Sequence, residues 1–365
     1  MSSTTSLSKS AATATSISTS TPTCIRVTPD KNGYVPEWAC DSNYMYYPSF
    51  AAAIVFSVAF GICLFIHIFQ AFHYSKKKLC WVLVMGVAWE FASFSLRSAG
   101  TRNQQSVPLA FASQILVLLA PMWINAFVYM VLGRMIYFFT PSQQVFRIKG
   151  IKIAKIFVWL DILSFLTQVG GGVMIQPSAS YKSQMLGIHI YMGGIGFQEL
   201  CILLFTAIAI RFAIIMRQHE RTHGITSSTQ ILDGKPHNWR TLLYVLFAAL
   251  VLITIRIIFR MVEFASGLDA DKNPIPYHEA YFMALDALPM LIAGILFNVV
   301  HPGRVLRGEG SEFPKGPSRK EKKEAKRIKK EGKAIAKEME KAAKAERKSA
   351  KKGEKVIGNE QVDVV

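Results

Sequence analysis

No G-x-x-x-x-G-K-[ST] loop occurs anywhere in the 365 residues, so ATP hydrolysis by the P-loop route is excluded. No Asn-x-Ser/Thr sequon occurs either, which removes N-linked sugar as a feature. Residues 1–28 are rich in Ser, Thr and Ala and hold no apolar signal-peptide core. The first apolar run is therefore expected to insert as its own signal. That leader reads either as a carrier of O-linked sugar or as a plain disordered tail. Cysteine is rare, with five in the chain. Cys63 and Cys201 fall inside apolar runs and read as inert core residues, with Cys80 at the edge of another run. Cys24 and Cys40 are the only pair placed where a disulfide is chemically permitted. No internal repeat stands out, which weighs against an inverted-repeat transporter.

Apolar residues make up 51% of the chain and mean hydropathy is +0.27. They gather into seven continuous runs: 48–69, 79–99, 109–132, 153–175, 187–210, 242–261 and 280–300. Each is about 20 residues, long enough to cross ~30 Å of hydrocarbon as a helix. They lack the polar face of soluble helices and the short alternating pattern of barrel strands. The expected fold is all-α: a polytopic membrane protein of seven transmembrane helices. The expected organisation is a disordered external segment over 1–47, a seven-helix domain over 48–303 and a basic tail over 304–365.

The net charge of +18 resolves into loops and tail. Lys76–Lys78, then Arg134 to Lys155, then Arg211 to Arg240 mark one side. Only Arg102, Lys182 and Lys272 mark the other. By the positive-inside rule the N-terminus is expected outside and the C-terminus in the cytosol. The loop over 211–240 reads as mobile, with Gly224, a Thr-Ser-Ser-Thr run and Gly234. The loop over 264–278 is acidic through Asp269 and Asp271. The tail favours helix. Its thin stripe of Ile328, Ile335 and Met339 suits either a solvated charged helix or a helix held near anionic inner-leaflet lipid. Nucleic acid is not an expected partner.

Nearly every apolar run carries a polar or ionisable residue at depth, although a charge there costs at least ~2.5 kcal/mol. Gly86, Glu90, Ser93 and Arg97 share one helix face, as do Asp161, Ser164, Gln168 and Gly172. Gln198 and Glu199 follow Gly193, Gly194 and Gly196. Arg256, Arg260 and Glu263 line a third face. Asp286 lies about 10 Å below His278 and Glu279, level with Arg256 as a pairing partner. We read Arg97, Arg256, Arg260 and Glu263 as structural ion-pair residues. Glu90, Asp161, Ser164, Gln168, Glu199 and Asp286 are the candidate substrate-binding set. Glu90 and Asp161 have no cation at their level, so each is neutral, hydrogen-bonded to Asn125 or Gln168, or open to a cationic ligand. The Gly170–Gly172 triple lets a second helix or a ligand approach the backbone. The membrane-proximal histidines fall on opposite sides, His67 and His301 against His189 and His278. They cannot converge on one metal, so no enzyme activity, metal or cofactor is expected.

Several ordered motifs resemble the fungal RTA-like family, lipid-translocating exporters named for resistance to an aminocholesterol. They are Glu90…Arg97, Ala120-Pro121…Leu132-Gly133-Arg134, Asp161-x2-Ser164-x3-Gln168-x-Gly170-Gly171-Gly172 and Arg256-x3-Arg260-x2-Glu263. His278-Glu279-x-Tyr281-x4-Asp286-x2-Pro289-Met290 and the closing His301-Pro302-Gly303 complete the set. The likeness covers about residues 37–303. The run after Glu90 departs from the family pattern, reading Phe-Ala-Ser-Phe-Ser-Leu in place of a Gly-Tyr pair. The resemblance implies a multi-pass protein, most often of the plasma membrane, that exports sphingoid bases or similar cationic amphiphiles and confers tolerance to toxic ones. Membrane lipids are then its partners. The alternative is a seven-helix receptor or stress sensor acting indirectly on lipid composition. The Gly-rich faces also suit packing between chains as a homo-oligomer.

Overall fold

The computed structural model describes residues 25–36, 39–40, 42–175, 180–223, 231–232, 235–236, 239–265, 273–306, 313 and 319–360. Seven helices among them are long and apolar enough to cross a membrane. They are α1 (Phe50–His73), α2 (Lys77–Gly100), α3 (Val107–Phe139), α4 (Gly150–Met174), α5 (Tyr181–His223), α6 (Trp239–Ala265) and a composite seventh span. The seventh runs as α7 (Glu279–Phe282), a π-helical turn over Met283–Ala287, and α8 (Leu288–Val299), followed by the short α9 (Pro302–Val305). Two units form. One ends at Ser311. The other, Glu312–Val365, contains α10 (Arg319–Glu360). Cys24, Asp269, Asp271 and the 224–230 run lie outside the described residues.

Local sequence sets several helix boundaries. The Ser49 hydroxyl caps α1 by accepting from the Ala52 amide at 3.2 Å, the usual work of a Ser N-cap. Pro108 sits in the first turn of α3, where a missing N–H costs nothing. Pro289 sits in the first turn of α8 and cannot donate back to Leu285. The chain answers with the π-turn, in which the Leu288 amide bonds five residues back to Met283.

Chain neighbours pack in order, and α1 closes against α8. α3, α6 and the seventh span are the most buried, each about 56% over its most apolar window, against 22% for α4. The periphery is apolar. Phe65 and Trp159 remain 72% and 70% exposed, as lipid-facing residues should. With no hydrophobic drive between helices in lipid, polar and glycine contacts hold them together. Gln70 donates to the Asn298 carbonyl (2.8 Å), His67 contacts the Gly294 carbonyl (3.1 Å), and Ser93 donates to the Ser113 carbonyl (2.7 Å). At the opposite end from the start of α1, His301 Nδ1 accepts from the Gly303 amide at 3.0 Å. That leaves Nε2 to donate to Cys80 Sγ at 3.2 Å.

Two boundaries differ from the sequence reading. Residues 211–223, expected as loop, continue α5. Glu220 there accepts from Trp239 Nε1 at 2.8 Å and pairs with Arg240, pinning α5 to the start of α6. The N-terminal segment is docked where it is described. Asn43 donates to the Gln104 carbonyl (2.8 Å) and Gln105 to the Gly33 carbonyl (2.7 Å). Cys40 is disulfide-bonded, and the other described cysteines, Cys63, Cys80 and Cys201, are free.

Candidate functional site

Polar side chains converge inside the bundle in two groups. The charged group lies between α2, α3, α6 and the seventh span. Arg256 Nε donates to Asp286 Oδ1 at 2.6 Å. Arg260 pairs with the other Asp286 oxygen and with Glu263 at 2.8 Å. Toward the end where α1 starts, Arg97 donates to Glu279 Oε1 at 2.9 Å and to the Tyr46 hydroxyl at 2.5 Å. Glu279 Oε2 accepts from the Ser49 amide at 2.7 Å. The N-terminal segment is thereby tied to a buried ion pair. There Tyr46 and Tyr44, both outside the spans, have their hydroxyl pKa values raised, chiefly by burial.

Pro121 explains one of these contacts. A proline inside α3 has no N–H for the carbonyl four residues earlier, and that carbonyl belongs to Val117. Arg256 Nη2 donates to it at 3.3 Å. The helix defect thus creates an acceptor for a buried guanidinium.

Glu90 stands apart. It is 0% exposed and neither carboxylate oxygen has a hydrogen-bond partner, although its charge is felt by Asp286, Arg256 and Arg260. Arg97, Arg256 and Arg260 therefore share the interior with four carboxyl groups: Glu90, Glu263, Glu279 and Asp286.

The second group links α3, α4 and α5. Gln168 Nε2 donates to Gln198 Oε1 (2.9 Å) and to Ser164 Oγ (3.0 Å), and Ser164 donates to the Gly194 carbonyl (2.7 Å). Asp161 Oδ2 accepts from Asn125 (3.1 Å) and from the Tyr129 hydroxyl (3.0 Å). Of the partners offered by sequence, Asn125 bonds Asp161 and Gln168 does not. Tyr129 was missed, because a tyrosine in an apolar run reads as core. Asp161 thus has neutral donors, while Glu90 has none. Glu199 is half-buried and hydrogen-bonded by Thr254 of α6.

Between the groups runs a narrow cleft lined by Phe165, Gln168, Tyr191, Gln198, Arg256 and Arg260, among others. Its volume of about 20 Å³ has room for about one water. Arg260 also lines a larger vestibule of about 390 Å³ at the end where α1 starts, walled by Tyr44, Tyr46, Arg97 and Glu263. Glu90 and Asp161 line neither space.

The glycines divide by role. In the triple, Gly171 alone touches another helix. A Cβ there would meet the Tyr191 nitrogen at 2.5 Å and the Gly187 oxygen at 2.6 Å, whereas Gly170 and Gly172 face open space. Gly194 packs against Gln168, while Gly193 and Gly196 face open space.

The run His219-Glu220-Arg221-Thr222-His223 has the H-E-x-x-H spacing of helical zinc sites, a match absent from the reading above. Its Glu220 is held by Trp239 and Arg240 and is not poised to activate water. Among the described residues no group of three His, Cys, Asp or Glu could hold a metal ion.

A family model described as RTA1 like protein matches residues 83–309. A probable lipid transporter, atnI, of Emericella nidulans is 46% identical over 314 residues, 86% of this chain and 81% of that one. A lipid-translocating exporter-like protein, RTA1, of Leptosphaeria maculans is 28% identical over 285 residues, 73% of this chain and 52% of its own length. The sphingoid long-chain base transporter RSB1 of Saccharomyces cerevisiae is 24% identical over 318 residues, 77% of this chain and 79% of that one. No solved structure matches.

Proposed function

We propose that this chain, which belongs to the RTA1-like family, moves amphiphilic lipids bearing a cationic head group across a membrane. One observation carries the reading: the interior layer of α2, α6 and the seventh span holds three guanidiniums against four carboxyl groups, and Glu90 is the carboxyl without a partner. An ammonium head would be the fourth cation. Gln168, Gln198 and Ser164 would take a hydroxyl or amide beside it, and the apolar lipid-facing surface would accommodate the chain. The relatives named for lipid or sphingoid-base transport support the same class.

The cleft is too small for a head group as it stands, so transit requires α3, α4, α5 and α6 to part, with Arg260 facing both cleft and vestibule. Loop charge supports an external N-terminus and a cytosolic tail. With that orientation the vestibule opens outward, as expected for export at the plasma membrane and for tolerance to toxic amphiphiles.

The test is transfer of a fluorescent long-chain amine across liposomes containing the purified protein. Glu90→Gln should slow transfer at least about tenfold, the equivalent of 1.4 kcal/mol lost from a charge-assisted contact. Asp161→Asn keeps an oxygen for Asn125 and Tyr129 and should slow it less. Wild-type transfer rates in a folded Glu90→Gln protein would remove Glu90 from the site. No transfer by the wild-type protein would favour the sensor.

A further inference from the structure

The sequence of α10 contains two opposed faces. Lys323, Lys326, Lys330, Lys333, Lys337 and Lys341 follow one another at three- and four-residue steps, so they fall on one side of the helix. At 1.5 Å per residue they form a row about 27 Å long. No carboxylate interrupts it. Glu324, Glu331 and Glu338 lie on the other side, beside Ile328 and Ile335. None of the six lysines is in an ion pair. The pairs in this helix join Arg327 to Glu331 and Lys344 to Glu340.

We propose that this lysine face docks on an anionic lipid surface, by electrostatic contact and without insertion. The charge pattern argues against insertion. The residues that would have to enter the membrane, Ile328, Ile335 and Met339, form a thin stripe flanked by glutamates, and each remains more than half exposed. A row of point charges on flexible stems suits a dense array of acidic head groups. Tethering selects lipid over other polyanions. The helix begins at Arg319, 13 residues after Leu306, which is buried in the bundle. That spacer reaches at most about 45 Å, so α10 is always close to the bilayer in which the bundle sits.

The test is hydrogen exchange on the full-length protein in vesicles. One set contains phosphatidylcholine only, and the other contains about 30% phosphatidylserine. Amides of 319–344 should exchange at least about tenfold more slowly with the anionic lipid. The protection should vanish near 0.5 M salt, where the screening length is ~4 Å. Changing Lys326, Lys330, Lys333 and Lys337 to Gln should abolish it. Changing Ile328, Ile335 and Met339 to Ser should leave it intact. Equal protection in both vesicles would overturn the proposal, as would loss in the Ser variant with retention in the Gln variant. The latter would assign the apolar stripe to insertion or to pairing with a second copy. Protection in phosphatidylcholine vesicles that appears only on adding RNA would assign the face to nucleic acid and overturn it as well.

Discussion

Asp286→Asn should destabilise the bundle by about 3–5 kcal/mol, the cost of removing one partner from a buried ion pair. Asp286 is wholly buried and meets two guanidiniums, Arg256 at 2.6 Å and Arg260. Arg260 would keep Glu263. Arg256 would keep only a bond to the neutral Val117 carbonyl, which leaves its charge uncompensated at depth. Thermal melting of the purified protein in detergent should show a fall of roughly 10 °C. Adding Arg256→Gln to Asp286→Asn should recover part of the loss, because no orphan charge then remains at that position. A melting point unchanged by the single substitution would mean that Arg256 finds another anion.

Gly171→Val should be nearly as damaging, at the upper end of the 1–3 kcal/mol typical of overpacking. The obstruction is backbone of α5, at Tyr191 and Gly187, which has no rotamer to yield. The change would push α4 from α5 and disturb Gln168 and Ser164, which bond across that contact to Gln198 and Gly194. Gly170→Ala and Gly172→Ala, one residue to either side, should be silent in the same melt because their added methyl groups meet nothing. If all three substitutions behaved alike, the close approach of α4 to α5 would be refuted.

Much of the fold was legible because the spans are continuous and the bilayer imposes one length on them. Seven runs read by eye correspond to the seven membrane-length helices. The misplaced end of α5 has a physical cause. Hydropathy reports where the apolar surface stops, and a helix can run on past it, as α5 does to His223 with Glu220 held by Trp239 and Arg240. Within the site, the matched heights of Arg256 and Asp286 were readable from residue counting, since both ride on regular helix. The Arg97–Glu279 pair was not, because it depends on how α2 and the seventh span face each other. The Val117 contact was hidden for a different reason: its signal is Pro121, four residues further on. The three glycines of 170–172 look equivalent in sequence. Only the angle at which α5 crosses selects Gly171.

The π-turn over Met283–Ala287 gives the seventh span one residue more than an uninterrupted α-helix would hold between the same end points. An in-frame loss of a single codon there would not merely shorten the helix. It would turn everything before the lesion by about 100° relative to everything after it, swinging Glu279 away from Arg97 and Ser49 while α8 kept its seat against α1. This stretch of the gene is therefore a place where length is as constrained as residue identity, and where a one-codon deletion would be more harmful than most missense changes nearby.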